Sequence, residues 1–167
     1  EAFTHTFAAS KKVVTVGNPV RADIESVGSL PPKQTDSAEP LRLLVLGGSQ
    51  GAQALNRALP HALKFLGQSS NIQISLRHQT GQGQLEETES IYAECGLSQS
   101  DSLTVSAFID DMALAYRWAD LVLCRSGAST VSEIAVAGKP ALLVPYPYHK
   151  DQQQLYNARW LSEGEAA

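Results

Sequence analysis

The sequence has 167 residues, the usual length of one domain. Hydrophobic residues make up 43% of it and charged residues 18%, which excludes general disorder. No apolar run approaches the ~18–20 residues that a transmembrane helix needs. The net charge of −4 provides no basic stripe for nucleic acid, so we expect no nucleic-acid partner.

Residues 1–40 are expected to be an irregular lead-in segment that ends in a Pro-rich linker. From residue 41 onward, short apolar runs alternate with stretches of helical spacing, which predicts one domain over residues 41–167. The predicted strands cover residues 41–46, 72–76, 103–105, 121–124 and 141–144, and the predicted helices cover residues 52–66, 84–95, 112–118, 130–137 and 152–161.

The alternation of strands and helices predicts the fold class, a doubly wound α/β domain with a parallel sheet. The short strands are mostly apolar without alternation, as expected for strands that are buried on both faces. Ligands of such sheets bind in the loops that leave the carboxyl ends of the strands. Ligand-binding residues are therefore expected in the loops at residues 47–51, 108–111, 124–130 and 145–153.

Targeting segments and metal motifs are not expected. The first residues lack the basic and apolar regions of a signal peptide. Cys95 and Cys124 form no CxxC pair, and we expect both to be reduced packing residues of a cytosolic protein. The 4 histidines lack HxxxH or HExxH spacing, so no metal site is expected. No cofactor is expected either.

The loop Gly47–Gly51 lies between the first predicted strand and its helix, and three interpretations of it stay open. It is a tight turn with Ser49 as helix N-cap, an anion site at the helix N-terminus, or a G-x-S-x-G nucleophile elbow. The spacing favours the turn.

A second loop of small residues, Arg125–Thr130, precedes the fourth helix. Thr130 and Glu133 match a capping box, which is the favoured interpretation. The alternative is that the Glu133 carboxylate accepts hydrogen bonds from two vicinal hydroxyls, as on a ribose.

Two further loops have polar residues at helix starts. Asp110 or Asp111 is expected to cap the third predicted helix. Asp151 and Gln154 match another capping box, and the glutamine run that follows the last strand also suits sugar hydroxyls. The favoured interpretation is a solvated polar run at a helix start.

Five motifs occur together in order and carry a resemblance. They are Gly17-Asn18-Pro19-Val20-Arg21, Gly47-Gly48-Ser49-Gln50-Gly51-Ala52, Phe108-Ile109-Asp110-Asp111-Met112, Cys124-Arg125-Ser126-Gly127-Ala128 with Glu133, and His149-Lys150-Asp151 with Gln153-Gln154. From about Gly17 to its end the sequence resembles the MurG family, the UDP-N-acetylglucosamine:N-acetylmuramyl-(pentapeptide) pyrophosphoryl-undecaprenol N-acetylglucosaminyltransferases of bacterial cell-wall synthesis.

The resemblance implies a Rossmann-like sheet that forms the C-terminal, donor-binding half of a GT-B glycosyltransferase, truncated at its C-terminus. It implies an inverting transfer of N-acetylglucosamine from the UDP-sugar, with no catalytic residue assigned in this chain. The implied substrate-binding residues are Arg21 and Ser49 near the phosphates, Ile109 at the uracil through its backbone, Ala128, Ser129 and Thr130 at the diphosphate, Glu133 at the ribose, and Gln153 and Gln154 at the sugar.

The implied partners are UDP-N-acetylglucosamine and, through a missing N-terminal half, a lipid-linked muramyl pentapeptide and the membrane surface. The implied location is cytoplasmic, peripheral on the inner face of the bacterial plasma membrane. Because the acceptor site and the base would lie in that other half, the chain alone is expected to bind donor without transferring sugar.

Two alternatives come from other function classes. Ser49, Asp110 and His149 follow the chain order of a serine hydrolase triad, each after a predicted strand. The other alternative is a sugar-nucleotide sensor or another GT-B enzyme that uses UDP-N-acetylglucosamine.

Overall fold

The computed structural model describes residues 16–31, 39–48, 52–148 and 150–163. In these ranges the helices are α1 (Ala22–Gly28), α2 (Gln53–Ser69), α3 (Leu85–Glu94), α4 (Met112–Trp118), α5 (Ala128–Ala137) and α6 (Gln153–Glu163). The strands are β1 (Leu41–Leu46), β2 (Ile74–Gln79), β3 (Leu103–Ser106), β4 (Leu121–Cys124) and β5 (Ala141–Leu143).

The strands form one sheet in the order β3-β2-β1-β4-β5, and every neighbouring pair is parallel. This confirms the predicted doubly wound sheet. Successive strands are added outward from β1 on one side and from β4 on the other, so the strand order reverses between these two. In open α/β sheets, ligands bind outside the carboxyl ends of the strands at such a switch point.

Helices cover both faces of the sheet, which explains the continuous apolar character of β1. Leu43 and Val45 pack in a cluster with residues of α2 and α3 on one face. Leu44 and Leu46 pack in a second cluster, with residues of α1, α4 and α5, on the other face. Because side chains alternate along a strand, both faces need apolar residues when both are buried.

The prediction that residues 1–40 are irregular is wrong for α1. Ile24 and Val27 are buried in the core cluster on the α4–α5 face of the sheet. A helix of 7 residues is too short to show a clear apolar period, and its stability comes from tertiary packing. The division of the chain at residue 40 stays a prediction.

The described helices include none that is both long and apolar enough to cross a membrane. Cys95 and Cys124 are free and buried, as expected for packing residues.

Candidate functional site

Two helices begin at the switch point between β1 and β4. The residues that flank their first turns are Ala52 before α2 and Gly127 before α5, and no side chain of the described residues caps either N-terminus. The backbone N–H groups of a helix's first turn lack partners within the helix, and the helix dipole adds positive potential there. Two uncapped helix starts at one crevice can therefore receive a bound anion.

The loop after β1 requires glycine at its first position. A Cβ atom on Gly47 would lie 2.9 Å from the Gln79 carbonyl oxygen and 3.0 Å from the Ala52 nitrogen. Gly48 has a φ of +74°, in the left-handed region. The backbone thus turns tightly at this point. Ser49, with its three interpretations, lies outside the described residues.

The predicted capping box of Thr130 and Glu133 is wrong. Helix α5 begins at Ala128, two residues earlier than predicted, so Thr130 lies inside the first turn and Gly127 is the N-cap. The half-buried Glu133 instead accepts a hydrogen bond at Oε2 from the hydroxyl of Tyr116, at 3.0 Å. The carboxylate is therefore available for a role other than capping.

Arg21 lies within electrostatic range of this pair. Burial and the neighbouring Glu133 raise the pKa of Tyr116, and the positive charge of Arg21 partly opposes that rise. Arg21 is exposed and also lies 3.6 Å from Asp23. The structure thus places Arg21 within electrostatic range of the Tyr116 hydroxyl, which itself contacts Glu133.

A cavity of about 200 Å³ lies beside the first turn of α5. Gly17 and Asn18 line one part of it, and Ala128 lines another. The Gly17–Arg21 motif therefore lies next to the uncapped helix start, although more than 100 residues separate the two in sequence. Ala128 and Ser129 are exposed there, and Thr130 is half-buried.

The loop after β4 is fastened to α6. Ser126 is buried, and its hydroxyl donates to the Gln154 carbonyl oxygen at 2.7 Å. The Asn157 amide donates to the Ser126 carbonyl oxygen at 3.1 Å. These two bonds hold the start of α5 and the start of α6 at one edge of the sheet.

The two predicted sugar-binding glutamines, Gln153 and Gln154, lie in the first turn of α6 and are half-buried. The predicted capping box of Asp151 and Gln154 is wrong, because Asp151 accepts from the Gln153 N–H at 3.2 Å. Gln154 Oε1 accepts instead from the Tyr146 N–H, at 2.8 Å. This bond orients the Gln154 amide.

The loop before α4 contains a predicted cap and a predicted base-binding residue. Asp111 caps α4, since its Oδ1 accepts from the Leu114 N–H at 2.7 Å, as predicted. Ile109 packs its side chain against the core cluster of α1, α4 and α5. Its N–H and C=O form no hydrogen bond with any described residue. The peptide groups of Ile109 are therefore open to a ligand.

The hydrolase alternative gains no support from the topology. Asp110 follows β3 and His149 follows β5, and these strands form opposite edges of the sheet. Four inter-strand spacings of about 4.8 Å separate them, whereas a triad needs hydrogen-bond contact. His149 itself lies outside the described residues, which also contain no cluster of three or more His, Cys, Asp and Glu side chains suited to a metal ion.

Comparison with known proteins decides the family. The family model described as "Glycosyltransferase family 28 C-terminal domain" matches residues 42–167. The chain belongs to this family. The match therefore favours the glycosyltransferase resemblance of this chain over the serine hydrolase alternative.

Two relatives align with almost the whole of this chain. The chain is 49% identical, over 99% of its length, to the UDP-N-acetylglucosamine--N-acetylmuramyl-(pentapeptide) pyrophosphoryl-undecaprenol N-acetylglucosamine transferase of Chromohalobacter salexigens. Over 100% of its own length, the chain is also 49% identical to the enzyme of the same name from Acinetobacter baylyi. The chain spans 44% and 45% of these two relatives, less than half of each.

A solved structure gives the same result. The crystal structure of Acinetobacter baumannii MurG matches with a TM-score of 0.66 and 39% identity, over 92% of this chain and 41% of that one. The resemblance stated from the sequence motifs, and the fold class that it implied, are confirmed.

Sequence analysis missed Tyr116 as a partner of the site. Tyr116 stands in a predicted helix of apolar residues, where a buried tyrosine is typical of a core. The available signal was its hydroxyl, because a buried tyrosine hydroxyl usually finds a hydrogen-bond partner.

Proposed function

We propose that this chain binds UDP-N-acetylglucosamine, as the donor-binding domain of an inverting N-acetylglucosaminyltransferase of peptidoglycan synthesis. The proposal rests on the match of almost all of this chain to relatives with that name. The acceptor is the lipid-linked muramyl pentapeptide, so the product carries N-acetylglucosamine on undecaprenyl-pyrophosphoryl-N-acetylmuramyl pentapeptide.

The diphosphate of the donor binds at the start of α5. The N–H groups of Ala128, Ser129 and Thr130 point from an uncapped helix N-terminus, and Arg21 and Ser49 approach the same phosphates. When the sugar leaves, negative charge grows on the diphosphate. Fixed dipoles and N–H groups stabilise such charge without reorganisation, so they act on the transition state more than on the bound donor.

The nucleoside is recognised by a loop and a carboxylate. The open N–H and C=O of Ile109 face the uracil edge, and a backbone donor–acceptor pair reads one pattern of base atoms. Glu133 accepts from the two ribose hydroxyls. Gln153 and Gln154 bind the hydroxyls of the N-acetylglucosamine, for which a carboxamide supplies both donors and acceptors.

The residues assigned here bind the donor, and none is assigned as the base for the acceptor hydroxyl. That base and the acceptor site belong to the part of the longer relatives that this chain does not match. The chain alone therefore binds donor without transferring sugar. The complete enzyme works from the cytoplasm, peripherally on the inner face of the plasma membrane, where its lipid-linked acceptor is anchored.

Calorimetric titration of the 167-residue chain tests the nucleotide preference. We expect UDP and UDP-N-acetylglucosamine to bind, and ADP-glucose and GDP-mannose to bind much more weakly, because the hydrogen-bonding edge of a two-ring purine lies farther from the ribose than the edge of uracil that the Ile109 N–H and C=O would contact. Equal affinity for ADP-glucose would contradict the proposed uracil contact.

The variant Glu133→Gln tests the ribose contact. The amide keeps an acceptor for the Tyr116 hydroxyl but replaces a carboxylate that accepts from two hydroxyls. We expect UDP affinity to fall roughly 10-fold or more, because hydrogen bonds to charged groups contribute about 1.5–3 kcal/mol. The melting temperature should stay unchanged, because Glu133 does not cap α5.

Glu86→Gln is the matched control for this charge change, on an exposed position of α3 that packs against the opposite face of the sheet. It should leave UDP affinity unaltered. Unchanged UDP binding by Glu133→Gln, with a lowered melting temperature, would return Glu133 to a structural role.

A further inference from the structure

Tyr116 forms the one hydrogen bond that the Glu133 carboxylate makes with the described residues. Its side chain is completely buried, in the core cluster that also contains residues of α1 and α5. The ring is therefore fixed by packing on all sides, and its hydroxyl donates to Oε2 of Glu133 from a fixed position.

This bond leaves most of the carboxylate free for a ligand. An ionised carboxylate has about four lone-pair sites, and the Tyr116 hydroxyl occupies one of them. Burial and the charge of Glu133 raise the pKa of Tyr116, so the phenol remains protonated and acts as the donor in this pair. Both Glu133 oxygens can then accept from further hydroxyl groups.

Tyr116 also links two parts of the candidate site. It lies on α4, whose N-cap Asp111 is two residues after Ile109, and Glu133 lies on α5, whose first turn begins at the switch point. A bond between these two helices therefore connects the loop proposed for the base with the carboxylate proposed for the sugar of the nucleoside.

We propose that Tyr116 is a positioning residue for nucleoside recognition, because its hydroxyl holds the Glu133 carboxylate in the orientation that accepts the vicinal hydroxyls of a ribose. The inference rests on the proposed function and adds a residue that does not itself touch the ligand. A glutamate side chain loses rotamer freedom when it binds, so a carboxylate that is already held in place binds with a smaller loss of entropy.

The experiment compares two ligands on one variant, Tyr116→Phe. This change removes the hydroxyl and keeps the ring that packs in the core. The ligands are UDP and 2′,3′-dideoxyuridine diphosphate, titrated by calorimetry into the 167-residue chain. We expect UDP affinity to fall roughly 3- to 10-fold, the range of one ordinary hydrogen bond, and the affinity of the dideoxy analogue to stay unchanged.

Tyr92→Phe is the matched control. Tyr92 is also buried and its hydroxyl also contacts a buried side chain, His78, but it lies in the cluster on the opposite face of the sheet. It should leave the affinities of both ligands unchanged. A general loosening of the domain by Tyr116→Phe would weaken UDP and the analogue alike, so the ratio of the two affinities isolates the positioning effect.

Equal weakening of both ligands, or unchanged UDP affinity of Tyr116→Phe, would overturn this inference and leave the proposed function standing. Failure of the unaltered chain to bind UDP would overturn the proposed function and this inference together. A loss confined to UDP supports both.

Discussion

Acidification from pH 7 to about pH 4 is expected to lower the free energy of unfolding by about 3 kcal/mol through His78. His78 is 1% exposed, and burial lowers its pKa from 6.5 to about 4. Each unit of difference in pKa between the native and unfolded states is worth about 1.36 kcal/mol.

The hydrogen bonds around His78 fix the ring as neutral. The Asn56 amide donates to the Thr80 carbonyl oxygen at 2.9 Å and to Gln84 Oε1 at 2.7 Å, so its own oxygen must accept. That oxygen lies 3.1 Å from Nε2 of His78, which therefore carries the hydrogen. Nδ1 then accepts from the Tyr92 hydroxyl, at 2.9 Å. A proton on Nδ1 would remove the acceptor of that hydroxyl.

The direction of the effect follows from the two pKa values. The unfolded chain binds a proton at His78 below about pH 6.5, and the native chain binds it only below about 4. Between these values the unfolded state holds more protons, so stability falls as the pH falls. Above pH 7 the imidazole is neutral in both states and contributes no pH dependence.

Urea denaturation of the chain and of His78→Gln at pH 7, 5.5 and 4 measures the pH dependence of the free energy of unfolding. The variant should lose less stability across the window, because it lacks the titrating ring. The same pH dependence in both proteins would contradict the prediction. An NMR titration of the native His78 ring gives a second test, and a midpoint near the ordinary pKa of histidine would contradict it equally.

Strand positions followed from the sequence where apolar residues marked the strand, as in β1 and β4. The predicted strand bounds were wrong where the buried side chains are polar. The strand predicted over residues 72–76 is β2 at Ile74–Gln79, because its register with β1 extends the pairing to Gln79. His78 and Gln79 are both buried there, and the His78 ring is hydrogen-bonded to Tyr92 and Asn56. A pattern based on apolar residues cannot find such positions.

The loops of the candidate site were predictable because parallel strands place their carboxyl ends together. The roles of individual residues in those loops were harder to predict. The pattern of Thr130 and Glu133 is the same whether the threonine caps the helix or lies inside it. Contacts of Ser126 with Gln154 and Asn157 hold the preceding loop, and the helix begins directly after Gly127. Those contacts involve residues about 30 positions away in sequence, which local pattern analysis does not include.

Gly28→Ala is expected to destabilise the domain by about 3 kcal/mol or more, at the upper end of the cost of overpacking. A Cβ atom on Gly28 would lie 2.0 Å from the carbonyl oxygen of Val136 and 3.1 Å from its carbonyl carbon. Both atoms belong to the backbone of α5, so no side chain can rotate away, and α1 must move away from α5. Arg21 is the N-cap residue of α1 and would move with the helix, so we expect weaker UDP binding as well.

Gly67→Ala is the matched control for this substitution. Gly67 lies on an exposed position of α2, with no atom within 4 Å of the place that a Cβ would take. Alanine there should stabilise the chain by about 0.5–1 kcal/mol, because glycine in a helix loses more backbone entropy on folding. Urea denaturation of the two variants should therefore give changes of opposite sign. A Gly28→Ala variant as stable as the unaltered chain would show that α1 does not pack against α5 at this distance. It would also contradict the proximity of Arg21 to Tyr116, which depends on that packing.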